Sequence, residues 1–470
     1  MKASVYQAFT AALAPIVGGL VIPPEHNGQK VLCLETERVT EPRNQLARHM
    51  PRKRDAIEAG LENLKTLYLI NATIGTPGSP VRLHIDTGSS DLWVNTPQSD
   101  LCTTDAKPCS SGGTYSANAS STYQYIANNF NITYVDGNAA TGDYVSDTVT
   151  IGSQRLDRLQ FGVGYSSTNA QGILGIGYPL NEVQVGRAGL GPYSNLPAQL
   201  VAEGLIQSSA YSIWLNDLDA NTGNILFGGV DAHKYVAPLL SLPIESASGV
   251  YSEFMITLTR LQLDNTTISG GDLALAVLLD TGSSLTYLPD HLVHEIYSVV
   301  GAKYDPDINA AYVPCSMGRR HHRPGTGGPH RLHFTFSEPT ISVPISELVL
   351  DIVMPSSKTT STSNSNSNPT LTSTLENNNN NIERSPNHCL FGIAPAHKAS
   401  TYVLGDTFLR SAYTVYDLEN NAVALAQARF GGGGSGDTTQ RRVAEIVGGG
   451  GGGKGGRGIP GATPGILGEG

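Results

Sequence analysis

From residue 67 onward, apolar positions come in short runs separated by turn formers. Residues 67–74, 81–85, 130–134, 144–151, 225–227 and 274–279 are apolar-rich stretches, broken by Gly, Asn, Asp and Pro. Runs of this length with such boundaries predict strands. A helical spacing shows best in two places, 196–203 and 291–300, each close to a Pro that suits a helix start. The pattern predicts an all-β class, mostly strands with a few short helices.

The same pattern contains a duplication. Residues 82–94 read RLHIDTGSSDLWV and residues 276–289 read AVLLDTGSSLTYLP. Each is an apolar strand, then Asp-Thr-Gly-Ser-Ser, then a second apolar stretch. A further echo follows each copy, Gly172-Ile173-Leu174-Gly175 and Tyr402-Val403-Leu404-Gly405. One unit used twice predicts two lobes related by a pseudo-two-fold axis.

Composition and charge narrow the class. The 470 residues carry 30 Lys+Arg against 40 Asp+Glu, a net charge of −10, with 15% charged and 39% hydrophobic residues. This excludes a basic nucleic-acid binder and a wholly disordered acidic chain. No apolar run of about 18 residues follows the N-terminus, which excludes a transmembrane bundle. Two segments are too polar or too Gly-rich to bury a core, 355–386 (Ser, Thr, Asn) and 431–470 (Gly). The run Arg319-Arg320-His321-His322-Arg323 reads as a solvated basic loop rather than a metal site, since adjacent His side chains rarely converge on one ion.

The N-terminus reads as targeting and processing sequence. Residues 1–20 resemble a weak secretory signal. Residues 21–54 read as a prosegment. It is rich in Lys and Arg and ends at Lys53-Arg54, where cleavage would leave a more acidic body. Acid would weaken the pairing between the two by protonating carboxylates. The expected lobes are 55–240 and 241–430, followed by a disordered Gly-rich tail at 431–470. Cys33 lies in the removable part; Cys102, Cys109, Cys315 and Cys389 remain. Three pairings are formally open. Cys102–Cys109 with Cys315–Cys389 is preferred because each bridge then stays within one half. Asn71, Asn118, Asn131 and Asn265 lie in glycosylation sequons, which fit a secreted chain.

The candidate chemistry sits in the repeated triplet. Gly88 and Gly282 permit tight turns that bring Asp86 and Asp280 to a shared axis. Thr87 and Thr281 can hydrogen-bond across that axis, and Ser89 and Ser283 can donate to the outer carboxylate oxygens. Two carboxylates at close range share one proton. The ionised member can take a proton from water while the other donates to a carbonyl oxygen. No cofactor or metal is required.

These segments, with LYLINATIGTP (67–77), ITYVDG (132–137), DTVTIG (147–152), ILFGGVD (225–231) and YVLGDTFLRSAYTVYD (402–417), resemble the pepsin-like aspartic proteases. The likeness spans roughly residues 66–430 and is nearest to fungal secreted and yapsin-like members. It implies a bilobal fold with a long cleft, Asp86 and Asp280 as the catalytic pair, and a hairpin flap above them. By the same resemblance Tyr134 is the flap tyrosine with Trp93 as its hydrogen-bond partner. Asp136 and Gly137 stand at the flap tip, where an extended substrate would pair. The two preferred disulfides match those of the family.

The reading is of a secreted acid endopeptidase made as a zymogen, expected to be a monomer that binds protein or peptide substrates and no nucleic acid. A yapsin-like preference for basic residues fits the acidic body. Attachment to the cell surface stays open, because the C-terminus lacks a hydrophobic anchor signal. The main alternative is a catalytically silent peptide-binding homologue, which loss of either Asp, or of Gly88 or Gly282, would mark. A two-carboxylate glycosidase would not need duplicated Asp-Thr-Gly turns. A cell-wall structural protein rests only on the low-complexity segments.

Overall fold

The computed structural model describes residues 30–40, 66–269, 272–306, 308–318, 330–351, 387–397, 399, 401–431 and 443–446. The expected signal at 1–20, the Lys53-Arg54 pair, the run at 319–323 and the 355–386 segment lie outside the described residues.

The predicted strands form where the apolar runs stand. The N-terminal half contains β1 (Leu32–Thr40), β2 (Thr66–Ile74), β3 (Ser79–Asp86), β4 (Leu92–Asn95), β5 (Gln124–Thr133), β6 (Ala139–Ile151), β7 (Gln154–Ser167) and β8 (Gly172–Gly175). The chain continues through β9 (Ala210–Trp214), β10 (Thr222–Phe227) and β11 (Gly229–Asp231). The helices are Leu196–Ala202 and Asp290–Val300, with a one-turn piece at Val183–Ala188 and another at Asp406–Leu409. The longest follows Pro289 and stops at Gly301, which takes φ 68°.

A 13-stranded sheet runs through the molecule. Its order is Tyr235–Pro243, Ala422–Ala428, Ala412–Asp417, β9, β10, β1, β2, β3, β8, β4, β7, β6, β5. The C-terminal half adds a five-stranded and two four-stranded sheets, giving a bilobal, mostly β architecture.

The internal repeat is visible in the pairing. In the first lobe β3 runs parallel to β8, Asp86 beside Gly175, and β4 lies antiparallel on the other side of β8. In the second lobe Leu275–Leu279 runs parallel to Tyr402–Leu404, and Thr286–Leu288 meets that strand antiparallel. The Leu-Gly echo is therefore the strand threaded beneath each Asp-Thr-Gly turn. Its glycine is required by close approach. A Cβ on Gly175 would lie 2.6 Å from the Ser90 and Asp91 nitrogens, and one on Gly405 would lie 2.2 Å from Leu285 O. The ends of these strands nearest the turns are buried: Leu83 to Asp86 in β3, all of β8, and Val277 to Leu279 in the second lobe.

Two parts of the chain carry strands that the apolar pattern did not foresee. Residues 32–40, placed in the removable segment, form β1, hydrogen-bonded between β10 and β2 inside the main sheet. The 431–470 segment, expected to be disordered throughout, contains a strand at Val443–Glu445 that pairs with β11. Its Gly-rich average conceals a short Val-Ala-Glu-Ile island, and Ile446 is 1% exposed. That residue packs in one cluster with Trp214, Val230 and Tyr413.

Candidate active site

Each Asp-Thr-Gly turn lies where a buried strand ends at the boundary between the lobes. The two turns lock by reciprocal hydrogen bonds. Thr87 Oγ1 donates to Leu279 O at 2.8 Å and accepts from the Thr281 N–H at 3.0 Å. Thr281 Oγ1 donates to Ile85 O at 2.9 Å and accepts from the Thr87 N–H at 3.1 Å. Both threonines are buried. Four bonds crossing the axis fix the spacing of the carboxylates that precede them.

The carboxylates then face one another. The Gly88 N–H donates to Asp86 Oδ1 at 2.8 Å and also reaches Asp280 Oδ1 at 3.1 Å. The Gly282 N–H donates to Asp280 Oδ1 at 2.7 Å. Ser89 donates to Asp86 Oδ2, and Ser283 to Asp280 Oδ2 at 2.7 Å. A Cβ at Gly88 would sit 2.7 Å from Asp280 Oδ1, and one at Gly282 2.5 Å from Asp86 Oδ1, so only glycine lets each acid reach across. Burial first, and then the neighbouring Asp280 charge, push the Asp86 carboxyl up to about 7. Protons bound this close belong to the pair rather than to either residue.

A hairpin covers the pair. β5 and β6 are joined by a turn at 134–138, closed by the Tyr134 N–H on Asn138 O at 2.8 Å and the Gly137 N–H on Tyr134 O at 3.0 Å. Gly137 takes φ 80°. Tyr134 opens the turn rather than ending the strand, and its hydroxyl accepts from Trp93 Nε1 at 2.8 Å. Burial, with Asp86 nearby, raises the Tyr134 phenol well above its ordinary value. Asp136 accepts from the Asn138 N–H at 2.7 Å and from its amide, while Val135 stands 96% exposed at the tip. Beneath the hairpin a cavity of about 1010 Å³ is lined by Asp86, Asp280, Tyr134, Asp136 and residues of the second lobe.

A model of the eukaryotic aspartyl protease family matches residues 67–428. The chain belongs to that family. It is 48% identical over 387 residues to the probable aspartic-type endopeptidase opsB of Aspergillus oryzae, covering 81% of this chain and 72% of that one. It is 30% identical over 444 residues to secreted aspartic protease 8 of Candida albicans, covering 90% and 95%. The crystal structure of an aspartic proteinase from Irpex lacteus shares the fold at TM-score 0.60 and 19% identity, covering 85% of this chain and 98% of that one. This aspartic-type endopeptidase carries two disulfides, Cys102–Cys109 and Cys315–Cys389. The sequon residues Asn71, Asn118, Asn131 and Asn265 are all exposed.

The protease cleft also holds groups that sequence reasoning missed. His84, Glu253, Tyr287, Asp290, Asn309 and His397 line it, His84 and Tyr287 from the strands flanking the two Asp-Thr-Gly turns, Asp290 from a helix start and the others from loops. Burial, then the Asp280 charge, raises the Glu253 carboxyl. His397 Nδ1 lies 3.1 Å from Asp290 Oδ2. Behind the first Asp turn, Asp91 accepts from Tyr144 at 2.6 Å, Tyr193 at 3.0 Å and the Val183 N–H at 2.9 Å. Asp91 thus ties the turn to the hairpin and to the short helix at Val183–Ala188. Its position directly after Asp-Thr-Gly-Ser-Ser was the one available signal.

Proposed function

We propose that this chain is a secreted acid protease, made as a zymogen, that hydrolyses peptide bonds with Asp86 and Asp280 acting as one proton-sharing pair. The observation carrying this reading is the crossed pair of Asp-Thr-Gly turns at the floor of a covered cleft. A water held between the carboxylates loses a proton to the ionised member as its oxygen attacks the scissile carbonyl carbon. The protonated member gives its proton to the carbonyl oxygen. The tetrahedral product then collapses, the C–N bond breaks, and the amine nitrogen leaves with a proton from the pair. The turns position both carboxylates in advance, so binding energy need not be used to assemble them. Tyr134, Asp136 and Gly137 close over an extended substrate, with backbone groups at the tip available for strand-like pairing.

Charge along the cleft supports a preference for cationic side chains. Asp136, Glu253 and Asp290 line it, and among the described residues no Lys or Arg does. Cleavage after Arg54 would leave β1 hydrogen-bonded on both edges, so the N-terminal fragment would stay attached without a covalent link until those bonds break. A peptide library digested at pH 4 and pH 7 tests the function. Cleavage at pH 4, biased toward Lys or Arg near the scissile bond, is expected. Saturable binding of peptides without any hydrolysis at either pH would overturn it. N-terminal sequencing of the secreted protein tests processing, with a start near Asp55 expected.

A further inference from the structure

The strand near the C-terminus lies in a seat built by segments far apart in sequence. Val443–Glu445 pairs antiparallel with β11, Glu445 opposite Gly229 and Val443 opposite Asp231. The Ile446 N–H donates to Gly228 O at 2.8 Å. The Ile446 side chain is buried in a cluster with Trp214, Val230, Tyr235 and Tyr413. The remaining wall comes from the N-terminal segment. The Lys30 N–H donates to Glu445 Oε1 at 3.3 Å. A Cβ on Gly229 would lie 3.0 Å from Val31 Cγ1 and 3.1 Å from Ala444 O, so three segments meet at that one residue. Cys33 of β1 and Val443 line the same small cavity at this corner. None of these residues lines the cleft.

We propose that this corner is a second peptide-binding seat, separate from the cleft, whose occupant is residues 443–446 and whose structure is complete only while β1 is in place. The chemistry defines the ligand. The β11 edge supplies backbone pairing for an extended segment. The apolar pocket takes a branched aliphatic residue, and the Lys30 N–H takes an acidic side chain one position earlier. Four residues offer few contacts, but residues 432–442 tether them, and tethering makes docking an intramolecular event. Loss of the Lys30 donor and the Val31 wall removes part of the seat. The tail then detaches, and its position reports whether the N-terminal strand is present.

Hydrogen exchange on the full-length chain tests this. The Ile446 amide is expected to exchange at least about tenfold more slowly than in a free peptide. In Ile446→Asp, the amides of residues 228–231 and of 30–34 should both exchange about tenfold faster, while the Arg331–Thr335 strand keeps its rate. Excess synthetic peptide covering residues 440–448 should restore slow exchange at both places. If Ile446→Asp also loosens Arg331–Thr335, Glu445→Ala replaces it, with faster exchange expected at 30–34. An Ile446 amide exchanging at the free-peptide rate overturns the seat, as does failure of the peptide to restore protection. Unchanged exchange at 30–34 in these variants overturns its dependence on β1.

Discussion

The two Asp-Thr-Gly turns are near copies, yet what surrounds them is not. Each turn ends a buried strand, runs beside a parallel Leu-Gly strand, and has its carboxylate held by a glycine N–H and a serine hydroxyl. Above the first stands a long hairpin, with Tyr134 anchored by Trp93 and Asp91 tied to Tyr144. The second lobe contributes Glu253, Tyr287 and the Asp290–His397 pair to the cleft wall, with no equivalent hairpin over the pair among the described residues. Symmetry is kept where two charges must meet at fixed spacing. It is lost where a substrate must be enclosed from one side.

The comparison can be broken most severely at the pair itself. Asp86→Asn and Asp280→Asn should each lower turnover at pH 4 by at least about a thousandfold, with unaltered circular dichroism. A large difference between the two would mean that the turns are not equivalent partners. A smaller loss is expected from the asymmetric cover. Tyr134→Ala should cut kcat/KM by about ten- to a hundredfold while Tyr287→Ala costs less, measured on one peptide substrate.

Stability measurements sharpen the symmetric half. Thr87→Val and Thr281→Val each leave buried partners unpaired and should each cost about 1–3 kcal/mol in denaturant unfolding. Each hydroxyl makes its own two bonds, so any departure of the double variant from the sum measures the coupling between the two turns. A further effect concerns pH. Asp86 binds its proton more tightly in the folded chain, up to about 7, than a carboxyl near 4 does in the unfolded one. The folded state therefore holds the extra proton between those values, and stability should fall as pH rises from about 4 to about 7. Asp86→Asn should flatten that slope in thermal melts recorded across the window.

Much of this was legible in the chain because it depends on local chemistry. Asp86, Thr87, Gly88 and Ser89 recur as Asp280 to Ser283, and a turn of that composition next to a buried strand has few alternative readings. Tyr134 and Trp93 came from the family resemblance. Glu253, Asp290 and His397 were not legible, because each is a single polar residue, in a loop or at a helix start, that only the tertiary fold brings to the cleft. The prosegment reading of residues 21–54 rests on their Lys and Arg content and the Lys53-Arg54 pair, and it passes over the strand pattern within them. Leu32 and Leu34, the inward face of β1, alternate with polar residues just as a strand requires. The tail strand was hidden by averaging over its glycines.

The place of β1 in the sheet has a mechanical side. Among the described residues it is the one strand linking β10 and the strands beyond it to β2 and the rest of the first lobe. Without β1 or a substitute, the continuous ribbon would part into two separately hinged pieces. The stiffness with which the walls hold their separation would then fall to side-chain packing and to scattered hydrogen bonds, the four threonine bonds and Tyr211 to Ile176 O among them.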